Sequence, residues 1–255
     1  MIGPEVRFEG VSKSFDGGAS FAVEAVDLTI AGGSFVALVG ESGSGKSTLL
    51  KTINRLVEPS AGRVYVGSDP VTAKRPHELR RHIGYVFQNI GLFPHMSVAE
   101  NVGIIPRLGG NENNARTAGL LDLVGLPHDL AARLPGELSG GQQQRVGVAR
   151  ALAGEPGLML MDEPFGALDP VTRDQLGEAY RKLHDRLGLT TIMVTHDMAE
   201  ALLLADRILV MSEGRIVADG TPQAMLAQGG GEEADALIAV PKRQMAKLRK
   251  LEREQ

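Results

Sequence analysis

Ser34-Phe35-Val36-Ala37-Leu38-Val39-Gly40-Glu41-Ser42-Gly43-Ser44-Gly45-Lys46-Ser47-Thr48 is the stretch that decides the fold. Its first half is a short apolar run ending in glycine, the pattern of a strand buried on both faces of a parallel sheet. Its second half, Gly40 to Thr48, matches G-x-x-x-x-G-K-[ST], a phosphate-cradling loop. Glycines let successive N–H groups converge on phosphate oxygens, and the start of a following helix adds a favourable dipole. Lys46 is spaced to reach the β- and γ-phosphates, and the Ser47 hydroxyl to ligate Mg²⁺. Ser47 to Leu56 reads as that helix, with Leu49, Leu50, Ile53 and Leu56 on one side. A glycine-rich surface turn would not need this strand before it and this helix after it. The combination implies a nucleoside triphosphate ligand.

Working outward, Val6 to Val11 and Ala25 to Ile30 alternate apolar and polar residues with period two, with a turn at Asp16-Gly17-Gly18 between them. Ile83 to Phe87, Gly157 to Met161 and Thr191 to Val194 are further core-strand candidates separated by helical patterns. That alternation predicts an α/β fold with a mainly parallel sheet and N-terminal antiparallel strands. From about Gly91 to Gly154 helices broken by Gly and Pro predict an inserted helical subdomain. The expected division is therefore a core of residues 1–90 and 155–228, a helical part of about 91–154, and a linker and basic tail of 229–255. Arg207 to Ser212 and Arg215 to Ala218 flank Glu213-Gly214, a hairpin turn. Gly229-Gly230-Gly231 reads as a linker. Beyond it lie Lys242, Arg243, Lys247, Arg249, Lys250 and Arg253, with Met245, Leu248 and Leu251 at three-residue spacing. A lipid-facing or dimer-facing helix fits this end, and so does a solvated, partly frayed one, which is the expectation.

The 255 residues carry a net charge of -4, which argues against a nucleic-acid coat protein, so no nucleic-acid partner is expected. Cysteine is absent, which excludes disulfides, thiolate metal sites and a cysteine nucleophile. Met1 to Arg7 lacks the order of a signal peptide, and no apolar run approaches the ~18 residues of a membrane span.

Leu158-Met159-Leu160-Met161-Asp162-Glu163 is the second nucleotide motif. An apolar strand delivers Asp162 to its C-terminal end, where ligand sites of parallel sheets form. Asp162 can hold Mg²⁺ through water, and Glu163 can polarise an attacking water. Each carboxylate alone could be a helix cap or a surface charge. With the phosphate loop present, the catalytic reading prevails.

Leu138-Ser139-Gly140-Gly141-Gln142 stands 23 positions before Asp162 and opens a helical pattern. Together with Gly40 to Thr48 and Met161-Asp162-Glu163-Pro164 it resembles the ATP-binding subunit of ABC transporters, over about residues 5 to 228 and in the family's motif order. The resemblance implies a P-loop NTPase core of the RecA-like kind, with ATP and Mg²⁺ as ligands. It places Phe15 where an aromatic stacks on adenine, although a core aromatic at a strand end is the other reading. Gln88 resembles the Q-loop glutamine, a Mg²⁺ and water contact. Asp169, in Ala167-Leu168-Asp169, resembles the D-loop residue across a dimer interface. His196, in Val194-Thr195-His196-Asp197, resembles the switch histidine that contacts the γ-phosphate. Glu163, His196 and Gln88 are thereby the catalytic set, and Ser47, Gln88 and Asp162 the metal set. The nucleotide set is Phe15, Gly40 to Thr48, Gln88, Asp162 and His196. Ser139, Gly140, Gly141, Gln142 and Asp169 would act in trans, in a head-to-tail homodimer that ATP closes and hydrolysis at Glu163 opens.

Lys51 to Pro59 and Ile83 to Met96 look like the osmoprotectant uptake subfamily, for glycine betaine, choline or proline. Importers of amino acids or other small amines stay open. The resemblance implies a separate permease docking after Gln88, at Ile90, Leu92, Phe93 and Met96, and an extracytoplasmic substrate-binding protein met indirectly. The place implied is the cytoplasmic face of the inner membrane, as a peripheral subunit. About 27 residues follow Gln228, too few for one of the CBS domains that many such ATPases carry, so that regulation is not expected. Among rivals, a DNA-repair ATPase needs a long coiled coil between phosphate loop and signature, and sustained heptads are absent here. A two-cassette translation factor needs a second phosphate loop. A binding module without activity predicts damage at Lys46, Asp162, Glu163 or His196, and all four are intact.

Overall fold

The computed structural model describes residues 2–109, 114–228 and 232–253. The chain begins with β1 (Val6–Lys13), β2 (Val23–Ile30), β3 (Phe35–Val39), α1 (Lys46–Ile53), β4 (Ala61–Val66), β5 (Asp69–Pro70), α2 (Pro76–Arg81) and β6 (Ile83–Val86). Then follow α3 (Val98–Leu108), α4 (Asn114–Leu123), α5 (Gly140–Leu152), β7 (Leu158–Asp162), α6 (Pro170–Leu187), β8 (Thr190–Thr195) and α7 (Met198–Leu204). Last come β9 (Arg207–Ser212), β10 (Arg215–Gly220), α8 (Pro222–Gln228) and α9 (Glu232–Arg253). Short 3₁₀ turns at Val71–Ala73, His128–Ala132 and Pro135–Glu137 link some of these.

Two sheets form, in the orders β2-β1-β4-β5 and β10-β9-β3-β8-β7-β6. The first is antiparallel, and the second is parallel except for its edge strand β10. β3 lies between β8 and β9, and all five of its residues are buried. Its alternate side chains divide between two cores: Phe35, Ala37 and Val39 face one, Val36 and Leu38 the other. Period-two alternation thus explains why an unbroken apolar run is needed, since neither face meets water. Leu49, Leu50 and Ile53 of α1 pack in the second core with side chains of β1 and β2, so α1 is sandwiched between the two sheets.

Between β6 and β7 lie α3, α4 and α5, which pack on one another while α5 also touches β6. All three fall within the stretch expected to be helical. The hairpin turn is present, with φ of 47° at Glu213 and 78° at Gly214, the double positive pair that joins twisted strands tightly.

Three expectations need correction. α1 stops at Ile53 rather than Leu56, because Arg55 turns left-handed (φ 57°) and the Leu56 N–H reaches back to the Lys51 carbonyl at 3.0 Å. Leu56 is left exposed rather than on the buried face. β6 ends at Val86, leaving Phe87 exposed in the loop. The terminal helix is not simply solvated: α9 packs on α7, α8, β9 and β10, with Ile238 buried in the first core. Its later residues Met245, Lys247 and Arg249 are exposed. The Gly229-Gly230-Gly231 linker lies outside the described residues. Among the described residues, no helix is long and apolar enough to cross a membrane.

Candidate functional site

The phosphate loop joins β3 to α1 at the C-terminal edge of the parallel sheet. Gly40 (φ 155°) has the Met211 carbonyl oxygen 2.2 Å from where a Cβ would sit, and Gly45 (φ 100°) has that of Ala22 at 2.0 Å. Both need glycine on steric grounds, because each obstacle is backbone that cannot swing away. The Gly214 N–H of the hairpin turn donates to the Ser44 carbonyl at 3.1 Å and braces the loop from outside. Lys46 is buried, and its Nζ donates to the carbonyls of Gly40 (2.9 Å) and Glu41 (2.6 Å) and to Ser44 Oγ (3.2 Å). Burial lowers its pKa, and the nearby Glu163 and Asp162 charges partly oppose that. Glu41, Ser42 and Gly43 are exposed, while Ser47 and Thr48 are half-buried.

Asp162, 1% exposed, ends β7 opposite Val194 of β8. Ser47 Oγ donates to its Oδ1 at 2.6 Å. Its Oδ2 receives Lys51 Nζ at 3.2 Å and the Tyr85 hydroxyl at 3.4 Å. Burial and the Asp162 charge push the Tyr85 hydroxyl pKa well up, so it stays a donor. Ser47 and Asp162 make a hydroxyl and carboxylate pair of hard oxygen donors. No group of three or more His, Cys, Asp or Glu that could hold a metal occurs among the described residues. That sparse set fits Mg²⁺, which is commonly held by one or two carboxylates plus nucleotide phosphates and water.

Glu163 leaves the strand with φ 50°, a conformation that costs a non-glycine residue roughly 1–3 kcal/mol. Its N–H donates to the Val194 carbonyl at 2.9 Å, and its Oε2 lies 3.4 Å from His196 Nδ1. The turn takes the Glu163 side chain to the mostly exposed imidazole that follows β8. Lys46, Ser47, Asp162, Glu163 and His196 therefore gather at one edge of the sheet.

Other expected residues stand apart. Phe15 is 69% exposed with Lys13 Nζ 4.9 Å from its ring centroid, so the core-aromatic reading fails and a free π-face remains. Gln88 is exposed, two residues past the Val86 and Met161 pair. Ser139 caps α5: its Oγ accepts from the Gln142 N–H (3.3 Å) while Gln142 Oε1 accepts from the Ser139 N–H (2.9 Å). Gly140 is exposed, and Gly141 packs close to Leu168. Asp169 caps α6 by accepting from the Thr172 N–H at 3.0 Å, and the side-chain and backbone hydrogen bonds of Thr172 together hold its carboxyl pKa low. Among the described residues, neither the segment 139–142 nor Asp169 has a hydrogen bond or ion pair to the phosphate loop of the same chain.

The loop after Gln88 is held from behind. Arg150 of α5 donates to the carbonyls of Ile90 (3.0 Å) and Gly91 (2.7 Å). Fully buried Asn101 accepts from the Phe93 N–H (2.8 Å) and donates to the carbonyls of Phe93, Met96 and Ser97. Leu92 packs on the first core, Ile90 and Met96 are half-buried, and Phe93 is exposed. Near it, a groove of about 180 Å³ is lined by Leu56, Phe87, Ile105 and Arg150 among others. Sequence reading missed Arg150, Asn101, Lys51 and Tyr85. It also missed Arg173, which bridges the Leu168 carbonyl (3.2 Å) and Asp197 Oδ2 (3.3 Å). For Lys51 a signal existed, because it stands four residues after Ser47 and so shares its helix face.

The sequence profile of the ABC transporter family matches residues 23–166, more than half of the chain. The glycine betaine/carnitine/choline transport ATP-binding protein OpuCA of Bacillus subtilis (strain 168) is 49% identical over 236 residues, covering 91% of this chain and 62% of OpuCA. The chain thus spans less than two thirds of that relative's length. The glycine betaine uptake system ATP-binding protein YehX of Escherichia coli (strain K12) is 49% identical over 226 residues, 88% of this chain and 73% of YehX. A dimeric structure of the ATP-binding cassette MJ0796, in a post-hydrolysis state with ADP and Pi, superposes with a TM-score of 0.80 at 34% identity, covering 85% of this chain and 98% of that one. The phosphate loop, the Leu138 to Gln142 segment and the Asp162-Glu163 pair all fall inside the matched span, and the chain belongs to the ABC transporter family.

Proposed function

We propose that this chain is the ATP-hydrolysing subunit of an importer that takes up a small osmoprotectant, a quaternary amine such as glycine betaine or choline, through a separate permease. The observation that carries the ATPase part is the convergence of Lys46, Ser47, Asp162, Glu163 and His196 at one sheet edge. The relatives' named substrates carry the osmoprotectant part.

In this reading residues 1–90 and 155–228 form the catalytic core and about 91–154 the helical subdomain. The loop N–H groups and Lys46 bind the triphosphate, and Phe15 offers its exposed face to the base. Ser47, Asp162 and Gln88 would hold Mg²⁺, which would supply positive charge against the phosphate oxygens. Glu163 Oε2 accepts the proton of the attacking water, and His196 holds that carboxylate and reaches toward the γ-phosphate. Exposed Ser139, Gly140 and Asp169, with half-buried Gly141 and Gln142, serve a second copy's nucleotide, so ATP closes a head-to-tail dimer. The permease docks at the loop after Gln88, where Ile90 and Met96 are half-buried, Phe93 is exposed and Leu92 anchors the loop. The chain then works at the cytoplasmic face of the inner membrane, next to a permease fed by a substrate-binding protein.

The test is uptake of labelled glycine betaine and choline in cells with and without the chain, at low and high osmolarity. Expected is uptake that disappears with the chain and returns with it, but not with Glu163→Gln. Uptake of labelled amino acids restored instead would keep the motor and replace the substrate.

A further inference from the structure

Asp162 already carries a cation of the chain's own. Ser47 and Lys51 stand four residues apart on α1, so both side chains leave one helix face and reach the same carboxylate. Ser47 takes Oδ1, while Lys51 Nζ at 3.2 Å and the Tyr85 hydroxyl at 3.4 Å take Oδ2. Ser47 and Tyr85 are neutral donors, which leaves the Lys51 ammonium as the positive charge in contact with this buried carboxylate among the described residues. Removing one partner of such a pair leaves an uncompensated charge in a poorly solvated place. A lysine with a third of its side chain exposed can swing into water, whereas the buried Asp162 at the end of an interior strand cannot.

We propose that Lys51 is a displaceable counter-cation of Asp162: it neutralises the carboxylate while the nucleotide site is open and competes with Mg²⁺ for it, thereby setting the Mg²⁺ concentration the site requires. The proposal rests on the nucleotide-site reading above. It makes Lys51 a positioning residue, acting on the metal set through Asp162. Two consequences pull in opposite directions. Without the ammonium, the metal-free protein loses stability, and Mg²⁺ meets one competitor fewer.

The experiment compares wild type, Lys51→Met, Lys51→Gln and Lys51→Arg at pH 8, where carboxylates are ionised in water. Thermal unfolding is followed with ADP present while MgCl₂ is titrated, and again in EDTA. Expected for Lys51→Met and Lys51→Gln is a lower Tm in EDTA and a half-point in Mg²⁺ that falls at least about threefold. Lys51→Arg, which keeps the charge, stays near wild type in both. An unchanged or raised Mg²⁺ half-point in folded Lys51→Met and Lys51→Gln overturns the proposal. So does an equal shift in Lys51→Arg, which would trace the effect to shape rather than charge. Should the two neutral variants fail to fold, the Lys51 Nζ–Asp162 contact is followed in the wild type by NMR of the lysine side chain, and a contact that persists at saturating Mg²⁺ with ADP overturns the proposal, because nothing is then displaced. Failure of the wild type to gain any Mg²⁺-dependent stability with ADP would instead overturn the nucleotide-site reading beneath it.

Discussion

Gly43 and Gly45 sit two positions apart in the same loop with φ of 85° and 100°, yet only Gly45 is walled in. A Cβ on Gly43 meets nothing within 4 Å, so Gly43→Ala should cost only the left-handed backbone penalty, about 1–2 kcal/mol. Gly45→Ala adds a collision with the Ala22 carbonyl and should cost clearly more, about 3 kcal/mol or above. Urea unfolding of the two variants checks the order. Equal losses would mean that the loop relaxes around Ala22. At this scale the sequence was informative where residue type dictates chemistry, as at Lys46, Ser47, Asp162 and Glu163. It was silent where a common residue gains its role from position. Tyr85 reads as a core strand residue until it is seen against Asp162, and Lys51, although its spacing from Ser47 was a signal, shows its partner only there.

Among elements, α5 carries the most consequence. Its first turn is closed by the reciprocal Ser139 and Gln142 bonds, and its last turn holds the loop after Gln88 through Arg150. One rigid helix thus spans the proposed trans site and the proposed permease socket. Ser139→Arg places a bulky cation on the exposed end of α5, so it should leave nucleotide binding by a single chain intact and prevent ATP-driven pairing. Light scattering with ATP and Mg²⁺, in a Glu163→Gln background to stop turnover, measures this. A dimer that persists in the double variant would remove Ser139 from the interface. Element limits were less legible than element types. The apolar spacing of α1 continues to Leu56, but the left-handed turn at Arg55 ends the helix first. For α9, the basic end hid the fact that Ile238 is a core residue.

For the whole molecule, folding buries a histidine far from the nucleotide edge. His184 of α6 packs against Phe35 of β3 (ring centroids 5.3 Å apart), and its Nδ1 lies 3.0 Å from Thr191 Oγ1, which also pairs with the Tyr180 hydroxyl at 2.8 Å. Burial, helped by the Arg181 charge, lowers its pKa below the ordinary 6.5. Between the lowered folded value and 6.5 the unfolded chain binds more protons, so stability is complete above about pH 6.5 and declines as pH falls. The urea midpoint should therefore drop between pH 7.5 and 5.5, and the drop should shrink in His184→Gln. An equally steep drop in the variant would assign the pH dependence to other groups.

By itself the sequence determined the chemistry on offer and the local structure that presents it. The phosphate loop, the strand ending in Asp162 and the helix opened by Ser139 are each written within a few consecutive residues, because period-two and helical spacing are short-range properties. Only the tertiary structure decided which of these meet. Ser47 and Asp162 are 115 positions apart and touch at 2.6 Å because the order β3-β8-β7 lays three parallel strands side by side, with α1 packed across them. The same order turns Glu163 to His196, holds Lys51 against Asp162, and leaves Ser139 and Asp169 facing outward. Such meetings depend on how strands are ordered and how cores close, and no local pattern encodes that.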